Sequence, residues 1–223
     1  IDNGTKVHII AHSMGARVTS QALARLSTSN EAIKFGEVIF ASGDVDSSLF
    51  EKWVGSSLTN VDGVTIYTSR YDGAVQTSYW LRSLNVLGLI KSTEHKQRIG
   101  VYNVGDEPFV FEPEANDQKL PIHTIDMSAL SFADFFWVFN ANDYLVKNHA
   151  IYALNYQVTD DMLHVMCSST KLNPEQRGVG KPVTTKNGEG VFWRIDKEEK
   201  LPENFKRDGC QSNFKALQAR VKD

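Results

Sequence analysis

Cysteine is scarce in this sequence: Cys167 and Cys210 are the only two in 223 residues. Neither has a CxxC or CxxH neighbour, so their placement indicates neither a zinc site nor a disulfide framework. No metal and no organic cofactor is expected. An excess of positive charge is also lacking. The formal net charge of −3 excludes the concentrated basic footprint that nucleic acid or an anionic membrane surface selects. Long apolar runs are missing too, since none approaches the roughly 20 residues of a membrane span. Nor is there a starting Met or a charged leader, because the chain opens on Ile1 and Asp2. It reads as a piece of something longer.

What is present is an ordinary globular composition, 41% apolar, 10% aromatic and 23% charged, enough for one sizeable core. Strand-like and helix-like segments alternate along it. Lys6 to Ala11 is an apolar run of strand length, and Arg17 to Leu26 carries Val18, Ala22, Leu23 and Leu26 at helical spacing. Glu37 to Ala41 (EVIFA) predicts a second strand, followed by Ser and Asp residues suited to capping a helix from about Ser48 to Val54. Gly63 to Ser69 predicts a third strand, leading into a helix from Ala74 to about Leu87, and Pro121 to Met127 predicts a fourth. Such alternation argues for an α/β fold: a mostly parallel sheet with helices on both faces. From Lys171 onward Gly, Pro, Lys and Glu become dense and the alternation stops. Residues 171–223 are therefore expected to be an appended polar segment, partly disordered or folded as a small hairpin, after a domain spanning 1–170.

The stretch VHIIAHSMGARV, Val7 to Val18, carries the strongest chemical signal. Strand, then AHSMG, then helix is the context of a nucleophile elbow, G-x-S-x-G, with Ala11 in place of the first Gly. A Ser on that sharp turn has its Oγ pushed out at the carboxyl edge of the sheet, with small neighbours at Ala11 and Gly15 expected to let strand and helix approach. The helix start aims free N–H groups at the same spot, so the Met14 N–H is a candidate oxyanion donor. Ser13 is the candidate nucleophile.

A Ser nucleophile needs an acid and a base, in chain order Ser, Asp or Glu, His for this fold. Asp72, in TIYTSRYDGAV at the end of the third strand, is one candidate acid. Asp44 and Asp46, at the end of the second strand, are its rivals, and all three could instead cap the helices that follow. Among six histidines, His8 and His123 lie within expected strands, and His95 in a charged stretch. His164 falls in a helix-like run, and His12 adjoins Ser13 and faces the other way. His149, expected on a loop after the fourth strand, remains as the candidate base. The aromatic segment SFADFFWVFNANDYL at 131–145 reads either as a lid or pocket wall or as a core helix, since Phe132, Phe135, Phe136 and Phe139 fall at helical spacing.

Taken together, VHIIAHSMGARV, FASGDVDSSLF, TIYTSRYDGAV followed by RIG at 98–100, and NHAIY resemble a bacterial branch of the α/β-hydrolase superfamily described mainly as proteins of unknown function. The resemblance runs from about Thr5 to Leu163. It implies a Ser-His-Asp triad falling on Ser13, His149 and Asp72, and a serine hydrolase acting on small-molecule carboxylic esters through an acyl-enzyme. In that fold several strands precede the elbow strand, whereas this chain starts at it. Residues 1–170 are thus expected to be the C-terminal part of a hydrolase domain lacking its N-terminal strands, with the missing region belonging to the same protein. Two alternatives stay open: a non-catalytic interaction module on a hydrolase scaffold, and a thioesterase or lipase using the same triad.

Overall fold

The apolar runs become neighbouring strands of one sheet in the computed structural model, which describes residues 6–29, 33–83, 97–113, 120–131, 141–167 and 172–196. The strands are β1 (Ile9–His12), β2 (Glu37–Ala41), β3 (Gly63–Thr68), β4 (Ile122–Asp126), β5 (Lys181–Thr184) and β6 (Val191–Arg194). The helices are α1 (Gly15–Ser27), α2 (Ser47–Gly55), α3 (Gly73–Ser83), α4 (Ala141–His149), α5 (Ile151–Leu154) and α6 (Tyr156–Cys167). The six strands lie in the order β1-β2-β3-β4-β6-β5. β1 through β4 and β6 run parallel, and β5 is an antiparallel edge. This is the mostly parallel α/β sheet that the alternation predicts.

Side-chain alternation along β2 divides the core between the two faces of the sheet. Val38 and Phe40 join Ala11, Ala16, Leu23, Phe50 and Val54 beneath α1 and α2. Ile39 and Ala41 instead join Tyr67, Ile125, Ile151, Val158 and Met162 beneath α5 and α6. Phe50 meets Phe40, Phe109 and Phe111 edge-on at 4.9, 5.8 and 5.3 Å between ring centroids, contacts worth about 0.5–1.5 kcal/mol each beyond their area. Helix α2 starts where its sequence says it should, with Asp46 accepting the Ser48 amide at 3.1 Å.

Beyond residue 170, β5 and β6 pair as an antiparallel hairpin that belongs to the sheet. Residues Trp193 and Arg194 of β6 pair in parallel with Ile125 and Asp126 of β4. Pro182 sits in the outermost strand, where its missing N–H costs no internal ladder bond. The segment before the hairpin is anchored by Arg177, which is 3% exposed. Its Nε and Nη2 donate to Asp161 of α6 at 2.6 and 3.0 Å, and the Tyr67 hydroxyl donates to the same carboxylate at 2.5 Å. Burial first, then the Asp161 charge, pushes the Tyr67 hydroxyl well above its ordinary pKa. No helix among the described residues is long and apolar enough to cross a membrane.

Candidate active site

Strand β1 ends at His12, and Ser13 follows with a positive φ of 54°. A non-glycine residue there is strained by roughly 1–2 kcal/mol. The turn is held from both sides. The Ser13 amide donates to Ala41 O at 3.2 Å, while Ser13 O accepts from Ala16 N at 3.1 Å and from Asp44 N at 2.9 Å. The strain therefore falls on Ser13 and not on Ala11, whose methyl is buried in the core beneath α1.

Gly15 departs from expectation, because a Cβ added there would meet nothing within 4 Å. The close approach lies instead at Gly100, where a Cβ would overlap the Gly43 backbone. That crossing ties the strand ends together: Gly100 N donates to Gly43 O at 3.0 Å and Ser69 N donates to Gly100 O at 3.2 Å. Through Asp44 and Gly43 the chain of bonds runs laterally from the Ser13 turn to the end of β3.

Asp72 stands just past that end and is fully buried. Its carboxylate does two jobs. Oδ1 accepts the Val75 amide at 3.1 Å, capping α3, and both oxygens lie 2.9 Å from His149 Nδ1. Capping and pairing with a His, which the sequence left as alternatives, coexist because a carboxylate has more than two acceptor directions. Asp46 is a helix cap alone. Asp44 accepts from Ser78 Oγ at 2.7 Å and lies 3.5 Å from Arg98 Nε.

His149 is not on a loop. It is the last residue of α4, which seats against the start of α3 where a Cβ at Gly73 would run into the end of the Leu145 side chain. A helix end places the imidazole more firmly than a loop would. Since a carboxylate only accepts, Nδ1 carries the proton toward Asp72 and Nε2 is left as the acceptor. No hydrogen bond joins Ser13 Oγ to His149 among the described residues.

Strand alternation sets His12 aside as a base for Ser13 but hides what its ring touches. Its ring packs 4.4 Å from the His149 ring and 4.6 Å from that of Tyr152. Its Nε2 is 3.2 Å from His149 O, so Nε2 is the donor. Burial, reinforced by the neighbouring His149, lowers the His12 pKa and keeps the ring neutral. The helix-end position of His149 was the missing signal. The remaining described histidines are elsewhere: His8 Nδ1 accepts the Glu37 amide at 3.0 Å, and His123 packs edge-on against Trp193. His164 lies in α6. His95 and the aromatic residues 132–140 lie outside the described residues, as does the far end of the helix expected to reach Leu87.

Met14 caps α1 without a side-chain hydrogen bond and its side chain is exposed. Among the described residues its amide has no acceptor. No group of His, Cys, Asp and Glu among them could hold a metal ion. The family model described as "Alpha/beta hydrolase of unknown function (DUF900)" matches residues 2–126, more than half of the chain, and includes Ser13, Met14 and Asp72. No curated protein and no solved structure matches the chain.

Proposed function

The chain belongs to the alpha/beta hydrolase family of unknown function, which places it among hydrolases, and from that premise we propose that it cleaves carboxylic esters with Ser13 as nucleophile. The observation that carries the reading is the buried Asp72 carboxylate held 2.9 Å from His149 Nδ1, which leaves Nε2 free to act as base. His149 Nε2 takes the Ser13 Oγ proton as the oxygen attacks the ester carbonyl. Asp72 holds the tautomer and stabilises the imidazolium that forms. The Met14 N–H, at the positive end of α1, donates to the oxyanion. His149 then returns the proton to the leaving alcohol, and water hydrolyses the acyl-enzyme by the reverse proton path. Hydrogen bonds between nucleophile and base are often long in the absence of substrate and tighten in the reacting complex.

A fluorophosphonate probe tests this directly. Labelling of the wild-type chain that is lost in Ser13→Ala and reduced at least 100-fold in rate in His149→Ala is the expected result. A folded wild-type chain that fails to label would favour the non-catalytic interaction module, a reading to which the unmade Ser13–His149 bond lends weight. Oxygen esters, thioesters and long-chain lipid esters tried side by side separate the esterase from its thioesterase and lipase alternatives.

A further inference from the structure

We propose that Arg70 is an oxyanion-recognising residue that selects substrates bearing a negatively charged group, a carboxylate or a phosphoryl. The inference builds on the serine hydrolase reading for its substrate, though not for its anion.

Arg70 lies between Ser69, the residue bonded to Gly100, and Asp72, the residue that holds His149. It thus stands on the strand-end segment that supplies the acid of the proposed triad. Its backbone is fixed, with the amide donating to Ser128 Oγ at 2.9 Å. Its guanidinium carbon lies over two rings, 5.6 Å from the Tyr71 centroid and 5.9 Å from that of Tyr102. Stacking of this kind orients the plane of the fork and leaves its edge for another partner.

Among the described residues that edge has no hydrogen-bond partner. Arg70 Nε is buried without a hydrogen bond, and no carboxylate pairs with the group among the described residues. A local acid was available and is used otherwise. Asp126, at the end of β4, accepts the Tyr102 hydroxyl at 2.8 Å and Arg194 Nε at 2.9 Å on one oxygen, and Ser128 N at 3.0 Å and Ser128 Oγ on the other. The same Tyr102 and Ser128 therefore satisfy Asp126 while positioning Arg70. Among the described residues other guanidiniums do face an acid: Arg177 is forked onto Asp161, Arg194 donates to Asp126, and Arg98 Nε lies 3.5 Å from Asp44 Oδ1. A buried polar nitrogen left open is costly, and a bidentate oxyanion would satisfy Nε together with a terminal nitrogen. A carboxylate or phosphoryl on the substrate fits that role, bound at the same carboxyl edge as Ser13.

Two measurements on the 223-residue chain test the proposal. In the first, 4-nitrophenyl butyrate is compared with 4-nitrophenyl hydrogen glutarate. The anionic-to-neutral ratio of kcat/KM is expected to fall about 10- to 100-fold in Arg70→Gln, chiefly through KM, and to recover in part in Arg70→Lys. Both esters cleaved with a ratio that stays within about twofold would overturn it. The second needs no turnover. The ¹⁵N-resolved Arg70 Nε–H signal, assigned by its loss in Arg70→Lys, is expected to shift on titration with inorganic phosphate or glutarate, the stronger ligand naming the preferred oxyanion. A shift no larger than that caused by sodium chloride at equal ionic strength would overturn the proposal. If neither ester is cleaved and Ser13 does not label, the serine hydrolase reading fails, and the titration still decides whether Arg70 binds an oxyanion.

Discussion

Two buried carboxylates, Asp161 and Asp72, are partnered around the carboxyl end of β3, and they are built to different ends. Asp161 receives Arg177 through two guanidinium nitrogens and Tyr67 through its hydroxyl, with every partner buried. Asp72 receives one backbone amide and one imidazole, and the His149 side chain remains 17% exposed. The first cation cannot lose its proton and has its fork oriented on a single acid. The second partner is an imidazole that turns one ring nitrogen to its acid and keeps the other for a further partner. The difference teaches how a fold separates a fixed charge, which ties segments together, from a titratable one, which can move a proton.

Breaking each pair should therefore fail in a different observable. The largest effect is expected from Asp72→Asn, which presents an amide where His149 Nδ1–H needs an acceptor. Turnover should fall about 10⁴-fold while the unfolding midpoint moves little. If turnover survives, Asp72 is only a helix cap. Next comes Arg177→Leu, which strands a buried carboxylate against one hydroxyl. Urea unfolding should report a loss of about 3–5 kcal/mol, with Ser13 labelling retained at temperatures where the variant is folded. A loss below about 1 kcal/mol would mean the pair behaves as a surface ion pair, and the comparison would collapse.

A third prediction concerns His123, near the Arg177 clamp. Burial, and then the Arg177 guanidinium, push its pKa down to about 3. The unfolded chain takes up a proton on this residue below its ordinary value of about 6.5, and the folded chain resists until about 3. Stability from this source is thus complete above about pH 6.5 and is lost as pH falls toward about 3, by a few kcal/mol in all. His123→Phe should flatten the acid limb of a stability profile between pH 6.5 and 5. An identical slope would assign that limb to other groups.

The smallest effect belongs to His12→Phe, which keeps a ring against His149 and Tyr152 and removes the N–H donated to His149 O. The loss of one such bond, about 1 kcal/mol, should slow turnover roughly fivefold and leave global stability nearly unchanged. His12→Gln, which retains a donor, should recover part of the rate if the bond positions His149.

Much of this was legible in the residues. The apolar runs at 37–41, 63–68 and 122–126 lie where their β-branched and aromatic content predicts, because strands buried on both faces read as continuous apolar stretches. Asp46 caps its helix as its position before Ser47 and Ser48 suggests. Ser13 is the residue that takes the left-handed turn after β1, and Ala11 tolerates its methyl because φ there is not positive. Less legible were features made by residues far apart in the chain. The polar, Gly-rich stretch after 171 gives little apolar periodicity, yet Arg177 and Trp193 bring it into the sheet through partners 16 and 68 residues earlier. The bond count of Asp72 and the neutral ring of His12 likewise depend on α4 arriving from more than 70 residues away.

By itself, the sequence determined the α/β class, the positions of the four leading strands along the chain and the turn on which Ser13 sits. Local conformational preference and hydrophobic period act within a few residues, so they are written in consecutive positions. Only the tertiary structure decided that Asp72 caps α3 and also grips His149, that His12 packs on the same imidazole, and that Arg70 is left without an acid. Those outcomes depend on which strand ends lie side by side. Electrostatic pairing acts over a few ångströms in space, whatever the separation along the chain.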